Sequence, residues 1–303
     1  MKDYIRLATR KSPLALIQAN LVREYLISQK IFSEIEVIPM STTGDDVNSS
    51  TFKELGGKGL FLKELELALL DKTADIAVHS MKDVPTKVDK KFTIISVMKR
   101  EDPRDVFISN KFKSINDIRD GVVATSSPRR VTQIMHNYKK VKTQQIRGNI
   151  NTRLSKLKQN DFDGLVLARA GINRMNMGEI ISQTLDVDEF VPSPGQGILC
   201  IEFLKRNISI NKKLIKAVDR DTQICAEAER LFADKMQGDC QSPIGAYACI
   251  KNDNINILGY VSSSDGKRFI KSSVSGTKKQ YLTLAENLTR AFIKMGSKEI
   301  LKC

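Results

Sequence analysis

Ala8-Thr9-Arg10-Lys11-Ser12-Pro13 and Ala124-Thr125-Ser126-Ser127-Pro128 are one turn written twice, the second copy a residue shorter. Each reads as a strand end, a hydroxyl-rich turn and the Ser-Pro start of a helix, with Ser at the N-cap and Pro at the first helical position. A helix N-terminus carries free N–H groups and the positive end of the helix dipole, so each turn can seat an anion. A chance match of two short turns is the competing explanation, and the surrounding pattern weighs against it.

Working outward from the first copy, Tyr4 to Ala8 reads as a strand, Pro13 to Gln29 as a helix and Glu36 to Met40 as a strand. Leu60 to Leu70 reads as a helix, and Asp75 to Val78 and Thr93 to Val97 as strands. Around the second copy, Asp105 to Ser109, Val122 to Ala124, Lys142 to Ile146 and Gly164 to Ala168 are strands, with helices at Pro128 to Tyr138 and Asn149 to Gln159. Such alternation predicts parallel or mixed sheets covered by helices. The expected architecture is α/β, with two lobes around a cleft. The first is residues 1–99, rejoined at about 198–216 by the apolar strand Ile198 to Ile201; the second is residues 103–193. A helix from about Lys213 to Met236 leads into a small α/β domain at 217–303. There Ala246 to Ile250, Ile255 to Val261 and Arg268 to Val274 read as a three-stranded antiparallel sheet, with a last helix at Tyr281 to Met295.

The charge balance, 49 basic against 35 acidic residues, suits a polyanionic partner. Of 17 arginines, nine fall between Arg100 and Arg174, in a chain that otherwise uses lysine. Arginine binds carboxylate and phosphate through a planar fork that lysine lacks. Nucleic acid fits less well, because there is no Trp and aromatics are only 6 % of the chain, leaving no stacking residues among the arginines. Five scattered cysteines without a CxxC pair, and only two histidines, argue against a metal site and for free thiols. No apolar run is long enough to span a bilayer, and a strand beginning near Tyr4 leaves no room for a signal peptide. The expectation is therefore a cytoplasmic protein with no membrane or metal requirement.

Further segments carry chemistry. Asp75 to Val78 delivers His79, Ser80, Lys82 and Asp83 into a loop closed by Pro85, and strand ends are where open α/β sheets place their chemistry. Gly56-Gly57-Lys58-Gly59 resembles a phosphate loop only superficially, since Phe52 stands where a Walker A loop needs glycine. Arg129 and Arg130 fall in the first turn of a helix, where cations oppose the dipole unless an anion sits between them. Arg147, Arg153 and Arg174 lie near strand ends or helix starts of the same half. Cys240, in the Gly- and Pro-bounded loop Gly238 to Gly245, reads either as a reactive thiol or as an inert one; Cys200 and Cys225 lie in apolar runs and read as buried.

Taken together and in order, these segments resemble the hydroxymethylbilane synthase (porphobilinogen deaminase) family over nearly the whole chain. The matching runs are Ala8 to Ala15, Gly56 to Glu66, Asp75 to Pro85, Arg100 to Asp105, Thr125 to Arg130, Arg147 to Asn149 with Thr152 to Leu154, Gly195 to Gly197, and the Cys240 loop. The resemblance implies two periplasmic-binding-protein-like lobes and a small C-terminal domain bearing the cysteine. It implies a transferase of haem and tetrapyrrole biosynthesis that joins four porphobilinogen molecules, as a monomer. The primer is dipyrromethane, held by a thioether to Cys240, which a thiolate can form by capturing an electrophilic azafulvene. Asp83 matches the catalytic acid, and Ser80 and Lys82 match positions contacting the cofactor. By the same resemblance Thr125, Ser127, Arg129, Arg130 and Arg153 bind the cofactor's side chains. Arg10, Ser12, Lys58, Arg147, Arg153 and Arg174 hold substrate or the growing chain. Departures from the family pattern include Thr43, Pro128, Pro194, Asp239 and Ser242, none of which removes a reacting group. A non-catalytic binding protein for an acidic ligand would share the lobes but would need neither Asp83 nor a loop cysteine.

Overall fold

A computed structural model of the chain describes residues 3–42, 62–159, 162–237 and 242–302. In chain order the elements are β1 (Tyr4–Arg10), α1 (Pro13–Ser28), β2 (Glu34–Met40), α2 (Lys63–Leu70), β3 (Ile76–Ser80) and β4 (Phe92–Val97). Next come β5 (Asp105–Ile108), β6 (Gly121–Ala124), α3 (Pro128–Asn137), β7 (Val141–Gln144), α4 (Ile150–Lys158), β8 (Gly164–Ala168), α5 (Arg169–Arg174) and β9 (Gln183–Leu185). The chain continues through β10 (Leu199–Leu204), α6 (Ile208–Leu214), α7 (Arg220–Lys235), β11 (Ile244–Lys251), β12 (Asn254–Ser262), β13 (Phe269–Thr277), α8 (Tyr281–Lys294) and α9 (Ser297–Leu301). It divides into two compact units: Met1–Glu101 with Gly197–Ala226, and Asp102–Gln196 with Glu227–Cys303.

The first unit holds a five-stranded sheet in the order β2-β1-β3-β10-β4, in which β1, β2 and β3 are parallel and β10 runs against both its neighbours. The returning apolar strand anticipated after Gly197 is β10. Ser12 caps α1, its hydroxyl accepting from the Ala15 N–H, and Pro13 opens the helix. Ala19, Val22 and Leu26 of α1 bury against Ile5 and Leu7 of β1 and Ile201 and Phe203 of β10. Each such aliphatic side chain taken from water is worth about 1.5–3 kcal/mol. The other sheet face packs on α2 through Leu65, Ala68 and Leu69.

The second unit repeats this pattern in β7-β6-β8-β5-β9, with β6, β7 and β8 parallel and β5 reversed. It also contains the antiparallel sheet β11-β12-β13. Phe232 of α7 and Phe292 of α8 meet edge to face on this sheet, 4.9 Å between centroids. The two serine-capped turns differ in one respect, because the Ser127 side chain makes no capping hydrogen bond to α3.

One expectation needs correction. The helix anticipated from Lys213 to Met236 is broken: α6 ends at Leu214, a 3-10 turn covers Ile215–Ala217, and α7 begins at Arg220. Val218 between them is extended and bridges to Val97, and the Asp219 carboxylate accepts from Thr222 N–H at 2.9 Å, capping a new helix. After β8 the chain turns directly into the short helix α5, and Arg174 is its last residue. The anticipated start of α2 at Leu60 lies outside the described residues, where the helix is seen from Lys63.

Candidate active site

In the first unit β1 and β3 run parallel with Ala8 opposite Ala77, so Arg10 and Ser80 emerge at the same edge, the carboxyl ends of the strands. Ser80 is held from α1: the Gln18 side-chain amide donates to its hydroxyl at 2.9 Å, and Gln18 is buried. Beyond Ser80 the chain turns through the 3-10 segment Met81–Asp83. Met81 N–H donates to Ile198 O at 2.9 Å, and Met81 and Val84 bury among Leu62, Ile198 and Cys200. These two apolar pegs leave Lys82 half-buried and Asp83 exposed between them. The alternation of apolar and charged residues in Met81-Lys82-Asp83-Val84 thus fixes the backbone while presenting the carboxylate outward. Arg10 and Ser12 are both half-buried at this edge, Ser12 with its hydroxyl engaged in the α1 cap.

The strand leading to this turn carries a buried polar pair that no sequence pattern announces. His79 Nε2 and Glu202 Oε2 are 3.0 Å apart, and both side chains are buried. Burial, and then the nearby Glu202 carboxylate, push the Glu66 carboxyl above the usual range.

In the second unit the carboxyl ends of β6, β7 and β8 form the corresponding edge. Thr125 is buried just beyond β6, its N–H donating to Gln144 O at 2.9 Å, and half-buried Ser127 opens α3. Exposed Arg147 leaves β7, and Asn149 caps α4 by accepting from Thr152 N–H at 2.9 Å. Gly148 between them has φ +108, and a Cβ there would stand 2.7 Å from the Thr152 side chain, so this tight entry needs glycine. Arg153 Nε donates to Gly148 O at 2.8 Å, folding that side chain back over the turn. Half-buried Arg174 ends α5 after β8.

Arg129 and Arg130 are the least expected feature of this edge. Neither is a surface group: they are 4 % and 6 % exposed. Both converge on Asp105, which begins β5 opposite Ala168 and is fully buried. Arg130 Nη2 lies 2.7 Å from Asp105 Oδ1, and Arg129 Nη2 lies 2.8 Å from Oδ2. Each arginine also donates to a carbonyl, Arg130 to Val166 O at 3.0 Å and Arg129 to Val191 O at 2.7 Å. The anion required beside two cations in a first helical turn is therefore supplied by the protein itself. Burial pushes the Asp105 carboxyl upward, but Arg129 and Arg130 outweigh it and hold the pKa at about 2. Burial draws the Arg129 guanidinium below its ordinary value. Burial, and then repulsion from Arg130, bring Arg153 to about 10. Among the described residues, three guanidiniums thus stand in one neighbourhood with the buried Asp105 carboxylate, an arrangement suited to a ligand that carries carboxylates of its own.

Asp105 and its partner Gln196, whose amide donates to Asp105 Oδ1 at 2.9 Å, belong to motifs quoted from the sequence, but no role was assigned to them. Lys58 and Cys240 lie outside the described residues, as do Thr43 and Asp239. Cys200 and Cys225 are buried, as expected from their apolar surroundings. Among the described residues no helix is long and apolar enough to cross a membrane.

Two family models match the chain. One is described as porphobilinogen deaminase, dipyromethane cofactor binding domain, over residues 5–212. The other is porphobilinogen deaminase, C-terminal domain, over residues 223–293. The chain is 41 % identical over 303 residues to the porphobilinogen deaminase of Francisella philomiragia, covering 100 % of both chains. It is 41 % identical over 299 residues to that of Francisella tularensis subsp. novicida, covering 98 % of this chain and 99 % of the relative. Among solved structures, the periplasmic VFT2 domain of Bordetella pertussis BvgS matches with TM-score 0.43 and 15 % identity, over 73 % of this chain and 90 % of that one. An arginine-specific periplasmic binding protein of Salmonella typhimurium matches with TM-score 0.39 and 13 % identity, over 72 % and 93 %.

Proposed function

The chain belongs to the porphobilinogen deaminase family, and we propose that Asp83 is the acid and base of its reaction, Cys240 the attachment point of its cofactor, and the arginines of the second unit the groups that hold carboxylates. The activity is that of a hydroxymethylbilane synthase, a transferase of tetrapyrrole biosynthesis. Four porphobilinogen molecules are joined head to tail, four ammonia molecules leave, and one water completes the linear product.

Dipyrromethane is the cofactor of this family. The residues present fit it, because among the described residues the buried Asp105 carboxylate faces both Arg129 and Arg130, with the half-buried Arg153 near enough to Arg130 to be repelled by it. When bound, the cofactor supplies the primer on which the product is built. Thr125 and Ser127, at the same edge as these arginines, also bind the cofactor in this reading, as do Ser80 and Lys82. Arg10, Ser12, Lys58, Arg147, Arg153 and Arg174 bind the acetate and propionate groups of substrate and growing chain.

Asp83 does the proton work. Its carboxyl gives a proton to the departing amine of porphobilinogen, so that ammonia leaves and the ring methylene carbon becomes electrophilic. The resulting carboxylate stands beside the positive charge that develops on the pyrrole. After the new carbon–carbon bond forms, the ring carbon that attacked still carries a proton. Asp83 removes it, which restores both the aromatic ring and the acid form for the next unit. The observation that carries this reading is Asp83 exposed on a turn whose neighbours Met81 and Val84 are pegged into the core. The reading treats residues 217–303, with Cys240, as the cofactor-bearing domain, apart from 1–99 with about 198–216 and from 103–193. It extends to a monomer in the cytoplasm that needs neither metal nor nucleic acid; sedimentation and activity after dialysis against a chelator check the first and third of these.

The deciding experiment is the intact mass of the purified chain with peptide mapping of the Cys240 loop. The expected result is added mass equal to two linked pyrrole units on Cys240, absent from Cys240→Ser. An unmodified Cys240 that porphobilinogen cannot convert would defeat the assignment.

A further inference from the structure

Asp105 is gripped from three sides. Arg130 donates to Oδ1 through Nε at 3.2 Å and Nη2 at 2.7 Å, and Arg129 Nη2 reaches Oδ2 at 2.8 Å. The Gln196 amide donates to Oδ1 at 2.9 Å and to Pro103 O at 2.7 Å, which ties the Gly195-Gln196-Gly197 turn to the start of β5. We propose that Asp105 is a positioning residue for cofactor loading: it locks Arg129 and Arg130 in the orientation that receives a carboxylate of the dipyrromethane. This rests on the reading that Arg130 holds the cofactor.

Two counts support it. The first is of charge. Two guanidiniums share one carboxylate at a site where all three side chains are more than nine-tenths buried, so Asp105 neutralises one cation and leaves the other for an arriving anion. The second is of donors. A guanidinium has five N–H groups. Toward Asp105 and Val166 O, Arg130 uses its Nε–H and one hydrogen on each terminal nitrogen, leaving a second hydrogen on each terminal nitrogen. Those two are directed away from Asp105, because the first pair fixes the plane of the fork. A fork already fixed by the protein loses less side-chain entropy when a ligand binds. Asp105 itself is placed by rigid structure, since it begins a strand paired on both sides, with Ala168 and Leu185.

The test uses full-length chain produced in a host that makes no porphobilinogen, so that it is obtained unloaded. Wild type, Asp105→Asn, Gln196→Met and Arg130→Leu are titrated with porphobilinogen, the loaded fraction is read by intact mass, and the melting temperature of each unloaded chain is recorded. For Asp105→Asn the porphobilinogen concentration giving half-loading is expected to rise about ten-fold, through lost preorganisation. For Gln196→Met, which removes one neutral donor to Asp105, a rise of about three-fold is expected, with little change in melting. A merely structural Asp105 would lower the melting temperature and leave the half-loading concentration where it was, which overturns the proposal. If Asp105→Asn gives no folded chain, Gln196→Met decides alone, and wild-type loading by it is the overturning result. Full loading of Arg130→Leu at the wild-type concentration is a different failure: it removes the cofactor reading itself, and the role of Asp105 with it.

Discussion

Asp83 and Asp105 are both carboxylates beside a strand, and the protein uses them in opposite ways. Asp83 is exposed on a turn held by its apolar neighbours, so it contributes little to folding and is open to a ligand. Asp83→Ala is expected to melt within about 0.5 kcal/mol of wild type, as exposed substitutions do. Its ammonia release should fall by roughly 10²-fold or more, the contribution of a positioned acid and base. Near-normal release from a folded Asp83→Ala would remove the residue from the chemistry. Asp105, fully buried between two guanidiniums, is open to no small molecule and acts through the side chains it holds. Asp83 was legible because its signals are local, a strand end entering a Pro-closed loop within a run that matches the family. The partners of Asp105 come from α3, 24 and 25 residues away in sequence, and from Gln196, 91 residues away. No local pattern marks a carboxylate as buried.

Among the elements, α7 shows where periodicity misleads. From Lys213 to Met236 apolar residues recur at helical spacing, and no glycine or proline interrupts the run before Gly238. The break is made by Val218, extended to bridge Val97, and by Asp219, whose carboxylate caps the helix restarting at Arg220 by accepting from Thr222 N–H. A β-branched residue drawn into a strand contact overrides weak helix propensity. The restart has a use within the first unit: the Thr222 hydroxyl accepts from Arg100 N–H at 3.1 Å, and Gln223 Oε1 accepts from Ser96 N–H at 2.6 Å. Asp219→Ala removes the cap and should destabilise the protein by about 1 kcal/mol, read from the midpoint of denaturant unfolding. An unchanged midpoint would mean the cap is dispensable.

For the whole molecule, the recurrence of one sheet order is the main result. In both five-stranded sheets the first strand of a parallel trio lies between the second and third, and a reversed strand lies beside the third. The reversed strands, β10 and β5, come from the stretches where the chain passes from one unit to the other. Global stability should carry the signature of Asp105. Its carboxyl titrates near 3.8 when unfolded and at about 2 when folded, so the unfolded chain binds this proton first as pH falls. The contribution is therefore complete above about pH 4 and disappears as pH falls toward about 2, a loss of about 2 kcal/mol. Wild type should lose melting temperature across that interval more steeply than Asp105→Asn, measured at constant ionic strength. Parallel acid profiles would show that Asp105 is not held in this state.

The sequence by itself determined the alternation of strands and helices, the two Ser-Pro turns, the antiparallel C-terminal sheet and the acid carried in the loop beyond β3. Each is encoded within a window of ten or twenty residues by period, capping residue or turn chemistry, and such signals survive without knowledge of what packs where. Tertiary structure alone decided that Arg129 and Arg130 point inward onto Asp105, that His79 meets Glu202 across two strands, and that Val218 interrupts a helix. Burial is the physical reason. Charged side chains read from sequence as solvated, and only the packed arrangement removes the water and supplies the opposite charge that makes a buried ion pair tolerable.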